Sequence, residues 1–391
     1  MAADAIVVGA GPVGLTAALA LSQGGLQVQV LEAARAIDRR MRASTFHPPT
    51  LDQIHQLGLS HDLVSAGLKV PRWQLRQHES GESVTFDLEA ISDLTGFPFR
   101  LQVEQHRYCE LAIRALAELG VEVRFGQGLR SLTQNDTEVQ VTCTSGDTLT
   151  TRWLIGADGA NSAVRQVLGI EYGGITHRHA SVLASTDFPF HKALPGLADV
   201  TYCWSRRGPF SLLRLRDRWR VSLYPGTEDV EDAASTERVR AWLQYIHPDA
   251  ATATINNVHP YRVHQRCVSR FRQGRVLLAG DAAHLNPPSG GMGMNGGIHD
   301  ATNLAEKLLA VEAGDTMEKL DQYDRQRRSV VSGEIIPQSA ANRERMATTD
   351  PGIQTERLHA QRQILHDDKK LVPFLMRSSM IHSLNQAAEI G

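Results

Sequence analysis

The sequence has few cysteines, almost no net charge and no long apolar run. Its four cysteines, Cys109, Cys143, Cys203 and Cys267, are scattered through 391 residues. None stands at metal-ligand or redox spacing from another. That excludes a zinc module or a dithiol centre, leaves no metal site to expect, and fits a reducing cytoplasm. The 41 basic and 43 acidic side chains leave a net charge of −2, so no basic surplus argues for nucleic acid or an anionic membrane. No stretch stays apolar long enough to cross a bilayer. Met1 leads almost directly into a strand, without a basic segment or a cleavage site, so a cytoplasmic location is expected. At 42% hydrophobic and 21% charged, a chain of this length is expected to form two or three globular domains.

What the sequence does have is three junctions where an apolar strand runs into glycine. The first is the strand 5–8 followed by Gly9-Ala10-Gly11-Pro12-Val13-Gly14, then an apolar helix over 15–22. A second strand alternates through Val28 and Val30 and ends on Glu32. This order suits a dinucleotide. Gly9 makes the tight turn, Gly11 lets the backbone approach a pyrophosphate, Gly14 lets helix and strand pack, and Glu32 accepts from a ribose. The motif alone does not separate FAD from NAD.

The second junction is Ile155-Gly156-Ala157-Asp158-Gly159, with Ser162 as a helix cap and Arg165 one turn on. The third is Val276-Leu277-Leu278-Ala279-Gly280-Asp281, then Pro287-Pro288 and Ser289-Gly290-Gly291-Met292-Gly293-Met294-Asn295. Asp281 is expected at the carboxyl end of a buried strand, where open α/β sheets place ligands. A helix is expected from Gly296, aiming its positive end back at this loop. His284 is expected to support the Gly280-Asp281 turn.

Between these junctions, a helix is expected to open at Thr50, and another follows Gln105. Strands of a different layer are expected over 73–75, 83–86, 180–188, 200–204, 210–215 and 219–224, with a hairpin turn at Asp217-Arg218. Beyond residue 330 the chain is polar, with helical patches.

The three motifs, in this order, resemble those of the class A flavoprotein monooxygenases, the p-hydroxybenzoate hydroxylase-like aromatic hydroxylases, over roughly residues 4–330. The resemblance implies an α/β fold in which a Rossmann-like FAD-binding domain, a parallel sheet with helices, is interleaved with a β-sheet substrate domain. The FAD-binding domain would take 1–70, 101–175 and 262–330. The substrate domain would take 71–100 and 176–261, and 331–391 would form a helical C-terminal region. It implies an FAD-dependent, NAD(P)H-consuming monooxygenase that hydroxylates a phenolic or related ring through a flavin C4a-hydroperoxide. With no second GxGxxG, NADPH or NADH would dock transiently as co-substrate.

By the resemblance, Gly9, Gly11, Gly14, Glu32, Arg42, Gln105, Asp158, Asp281 and the segment Gly293, Met294 and Asn295 would bind FAD. Pro288 would sit at the reactive face. His47 is a candidate phenol base by its closeness to Arg42 in sequence. Tyr202, Trp204, Phe210, Leu212, Arg214 and Tyr224 are candidates for the substrate wall. The expected partners are a small aromatic molecule, oxygen and NAD(P)H, and a homodimer is an open option. Two alternatives remain at this point: a flavin-dependent reductase or oxidase on the same fold, and a flavin-binding protein without turnover.

Overall fold

The computed structural model describes residues 3–227 and 229–391. Met1, the expected lead into the first strand, lies outside them. Among the described residues the chain forms two eight-stranded sheets and a small three-stranded one. The first sheet is built on five parallel strands. In spatial order they are Val276–Leu278, Thr148–Gly156, Ala3–Val8, Val28–Glu32 and Val123–Phe125. Ile6, Val7, Leu154, Ile155, Leu277 and Leu278 have no exposed surface. Burial on both faces is why these strands read as continuous apolar runs.

The ends of three of these strands are level. Val8 pairs with Gly156, and Gly156 with Leu278. Parallel neighbours in register deliver their loops to one side. The three glycine junctions, far apart in sequence, therefore meet along one edge.

The second sheet runs Ser83–Asp87, Arg72–Gln77, Val200–Trp204, Phe210–Arg214, Trp219–Leu223, Tyr172–Thr186, Ile255–Val268 and His284–Leu285. It is antiparallel except where Val200–Trp204 meets Arg72–Gln77. Its two longest strands, Tyr172–Thr186 and Ile255–Val268, pair along their length and carry the chain between the two sheets. Residues 175/176 and 261/262 fall inside them. One face of the sheet buries Leu212, Trp219, Val221 and Leu223 against Val239, Trp242 and Leu243 of the helix Thr236–Ile246.

The C-terminal region forms the helices Ile336–Met346, Pro351–Leu365, Asp368–Ser378 and Ile381–Glu389. Few of its apolar residues are buried, but Leu358, Leu375 and Ile381 pack with Trp73 and Phe86 of the second sheet. Phe374 stacks over Trp73 at 6.0 Å between ring centres.

Two helices start earlier than expected. The helix placed from Gly296 begins at Met292, after Gly291 in the left-handed region at φ 71°. Its glycines serve packing rather than a loop: a Cβ on Gly297 would lie 2.5 Å from Val13 Cγ2. The helix placed from Thr50 begins at Pro48, with His47 at its N-cap. Proline suits a first helical turn because it lacks an N–H and has φ preset. Inside that helix the Thr50 hydroxyl lies 2.8 Å from His299 Nε2.

Candidate active site

A cavity of about 1110 Å³ lies between the two sheets. Gly11, Arg42, Gln105, Gly159 and Asp281 line one end. Pro288, Gly293 and Met294 line the middle, and Tyr202, Arg220, Tyr224 and Arg343 the other end. Pockets for a single small molecule hold roughly 300–1,000 Å³. This one has room for a dinucleotide and a second, smaller molecule.

At the first end, backbone conformation makes the space. Gly9 sits at φ +110°, and a Cβ there would lie 2.3 Å from the Ala157 carbonyl oxygen. A Cβ on Gly14 would lie 2.0 Å from the Gly9 carbonyl oxygen. Gly11 differs: a Cβ there would meet nothing within 4 Å, because it would project into open space. Glu32 Oε2 accepts from the Ala10 N–H at 2.7 Å and Oε1 from the Ala34 N–H at 2.8 Å, which ties the glycine turn to the end of the neighbouring strand. Arg42 is half-exposed and paired with Asp38 at 3.1 Å, and the arginines hold the Asp38 carboxyl well below its usual range. Gln105 donates its backbone N–H to Ala43 O at 3.1 Å and lines the cavity.

The second junction supports the third. Asp158 Oδ2 accepts from the Val164 N–H at 3.1 Å, Oδ1 is buried without a partner, and burial pushes its pKa up. Ser162 caps the following helix through the Arg165 N–H at 2.9 Å, as expected. Arg165 donates to Ala282 O at 2.9 Å and covers the Tyr172 ring at 3.9 Å. The Tyr172 hydroxyl donates to Asp281 O at 2.8 Å. The Asp281 side chain is exposed and opens into the cavity, and the protein packed around it pushes its pKa up.

In the middle, the helix Met292–Glu312 points an N-terminus without a side-chain cap at the cavity. The first turn of a helix has N–H groups with no partner inside the helix and a partial positive charge, which suits an anionic or carbonyl edge. Asn295 does not line the cavity. Its side chain accepts from the His47 N–H at 2.9 Å and donates to Thr45 O and Gly291 O at 2.9 and 2.7 Å. Behind this turn lies a buried charge network. Asp300 Oδ2 accepts from the Gly280 N–H at 3.0 Å and lies 2.7 Å from His284 Nε2, while Oδ1 lies 2.7 Å from Arg327 Nε. The partners hold Asp300 down to about 2 despite burial that alone would raise it. His284 thus supports the turn as expected, but through Asp300. Neither Asp300 nor Arg327 was foreseen; a buried aspartate eight residues into a helix gives no local signal.

His47 is a correction. It is wholly buried, its Nε2 lies 2.8 Å from Gly290 O, and it does not line the cavity. Burial, with Arg100 nearby, lowers its pKa to about 3. Through that contact it holds the glycine loop. Pro288 does line the cavity, and its carbonyl accepts from the Gly291 N–H at 3.0 Å.

At the far end, pairing register decides which side chains face inward. Leu75, Tyr202, Ser211, Ser222, Leu183 and His259 form one rung across six strands, and all six line the cavity. Leu213 lies opposite Arg220 on the next inward rung. Side chains alternate along a strand, so the intervening Leu212 and Arg214 point the other way. This corrects two substrate candidates. Leu212 is buried against the helix Thr236–Ile246, and Arg214 pairs with Asp199 at 3.1 Å. Trp204 is also outside the cavity, with its Nε1–H donated to Arg345 O at 3.1 Å. Tyr202 and Tyr224 do line the cavity, and Phe210 reaches it at the start of its strand. Arg100, Ser211 and Arg220 line it unforeseen.

A parallel sheet with three glycine junctions at one edge, an open Gly11 and an uncapped helix N-terminus define a dinucleotide-binding α/β protein, and the donors present fit FAD. The sequence profile of the FAD binding domain matches residues 2–335, and the chain belongs to that family. It is 35% identical over 357 residues to para-nitrophenol 4-monooxygenase of Pseudomonas sp. strain WBC-3, covering 88% of each chain. It is 31% identical over 353 residues to 6-hydroxy-3-succinoylpyridine 3-monooxygenase of Pseudomonas putida, covering 89% of this chain and 90% of the other. The crystal structure of p-nitrophenol 4-monooxygenase from Pseudomonas putida superposes with a TM-score of 0.90 at 29% identity over 98% of both chains. The protein is an FAD-dependent aromatic monooxygenase. No helix among the described residues is long and apolar enough to cross a membrane.

Proposed function

We propose that this enzyme hydroxylates a small ring already bearing a hydroxyl group, with NAD(P)H as the reductant and oxygen as the second substrate. The observation that carries this is the continuity of the cavity from Gly11, past the uncapped turn at Met292, to the rung bearing Tyr202. The two similar enzymes are named for a nitrophenol and a hydroxypyridine, both hydroxylated six-membered rings.

FAD, when bound, supplies the redox chemistry by taking electrons from the reductant and activating oxygen. The chain's own residues do the rest. Glu32 would hold the ribose of the adenosine, Gly9 and Gly14 shape the turn, and Gly11 leaves room for the pyrophosphate. Arg42 and Gln105 would contact the phosphates and the chain beyond them, and Asp281 a hydroxyl. Asp158 would support the cofactor side indirectly, by accepting from the Val164 N–H at the start of the following helix. The N–H groups of Met292, Gly293 and Met294 would meet the polar edge of the ring system, and Pro288 would bound its reactive face. Leu75, Leu183 and Leu213 exclude water from the ring substrate.

The test is NAD(P)H oxidation by the FAD-loaded protein against a panel of phenols and hydroxypyridines beginning with 4-nitrophenol, with oxygen uptake and product mass followed together. Substrate-dependent oxidation with a product in which one oxygen atom has been gained is expected. Peroxide as the sole oxygen product across the panel would overturn the hydroxylase reading.

A further inference from the structure

The substrate end of the cavity contains arginines without counter-ions. Arg100, in the strand Arg100–Gln102, is 2% exposed. Its guanidinium lies 4.7 Å over the Trp73 ring, Nη1 is 3.4 Å from the Tyr202 hydroxyl, and Nε has no partner. Arg220 sits on the inward face of the sheet, with Nη1 donating to Ser44 Oγ at 2.9 Å and Nε buried without a partner. Arg343, in the helix Ile336–Met346, lies 5.6 Å from the Tyr224 ring centre and has an unpartnered Nη1. All three line the cavity, and none forms an ion pair among the described residues.

Buried cations are normally paired, because losing water costs several kcal/mol per ion. The tyrosines here do not neutralise them. Burial pushes the Tyr224 and Tyr261 hydroxyls up, so both remain neutral and act as donors or acceptors only. Other charged or titratable groups lining the cavity are Asp281 at the flavin end, Glu334, which lies 3.9 Å from His382, His179 and His259, and the further arginines Arg207, Arg345 and Arg377. Neither carboxylate pairs with the three arginines. Arg42, paired with Asp38, stands at the opposite end of the cavity.

We propose that the ring substrate binds as a preformed oxyanion, with its proton already lost to water, and that Arg100, Arg220 and Arg343 supply the counter-charge. No side chain then needs to remove a phenolic proton, in keeping with a His47 sealed behind Gly290. This rests on the hydroxylase reading, but its test does not need turnover.

The probe is 4-nitrophenol, whose phenolate has its own visible band. It is titrated into the FAD-loaded protein without NAD(P)H, and difference spectra are taken across pH. The bound probe should be phenolate, with an apparent pKa about 1–3 pH units below that of the free phenol. Arg100→Gln and Arg220→Gln should each weaken phenolate binding about tenfold or more and remove that shift. The neutral methyl ether, 4-nitroanisole, should bind the variants as it binds the wild type, and Arg100→Lys should restore part of the shift. A bound neutral phenol would overturn the proposal. So would equal weakening of both probes, which would mean a packing role. A change in flavin potential with unchanged probe binding would also overturn it, assigning the charge to the flavin instead. If the proposal holds but no oxygen enters the ring, the hydroxylase reading fails alone.

Discussion

The two large sheets meet at one cavity but specify their ends of it differently. At the parallel sheet the work is done by backbone: turns at Gly9 and Gly159, free N–H groups after Gly291, and strand ends level across three neighbours. At the antiparallel sheet it is done by side chains whose direction depends on pairing. Tyr202 faces in because it stands opposite Ser211, and a slip of one residue would present Leu212 instead. A backbone site tolerates change of side chain but not of conformation. A side-chain site on a sheet tolerates neither loss of register nor change of volume.

That contrast breaks most visibly at Gly9. Gly9→Val places a branched side chain at φ +110° and against Ala157, at a cost of about 3 kcal/mol or more. The purified variant should carry little FAD, as read from its visible absorbance relative to protein. A flavin-loaded variant would show that the turn has slack.

Asp300→Ala comes next. It strands Arg327 and should cost about 3–5 kcal/mol, measured by denaturant unfolding. The pH sign follows from the lowered pKa. The stabilisation from Asp300 is present above its unfolded value of 3.8 and is lost as pH falls through about 2.

At the sheet, parity is tested by neighbours. Leu212→Ala should cost about 2–4 kcal/mol in stability yet leave KM for the ring unchanged. Ser211→Leu should do the reverse, raising KM about tenfold with little loss of stability, because it fills the cavity. Equal effects on KM would place both side chains at the substrate and undo the assigned register.

His47 gives a smaller, pH-dependent effect. Its folded pKa is depressed from 6.5 to about 3, so its stabilisation is complete above 6.5 and drains away as pH falls toward 3. His47→Gln should flatten this acid limb in thermal melts and leave the pH dependence of kcat as it was. A lost basic limb in kcat would restore His47 as the phenol base. The smallest effect is expected at Arg214→Gln. Its half-exposed pair with Asp199 is worth about 1 kcal/mol or less, and KM should stay within about twofold.

The signals in the chain are uneven in the same way as the two sheets. The flavin end was legible because its requirements are local: a glycine where φ is positive, a strand that stops, a helix that starts. Even there the helix boundaries moved, to Met292 and Pro48, because glycine and proline discourage a helical reading that packing overrides. The substrate end was half legible. Tyr202 and Tyr224 line the cavity as expected of a wall, whereas Leu212 and Arg214 face the other way, since alternation gives two faces without saying which is inward. Arg100 and Arg220 gave no sign, because an arginine in a strand ordinarily faces solvent.

The sequence by itself determined the nucleotide-binding edge, the order of its three motifs and the presence of a second sheet, because these follow from short-range sterics and periodicity. Tertiary structure alone decided that His47 is sealed in, that Asp300 and Arg327 support the third junction, and that arginines without an ion pair among the described residues line the cavity. Those facts depend on which distant segments meet, and burial and charge pairing exist only once they have met.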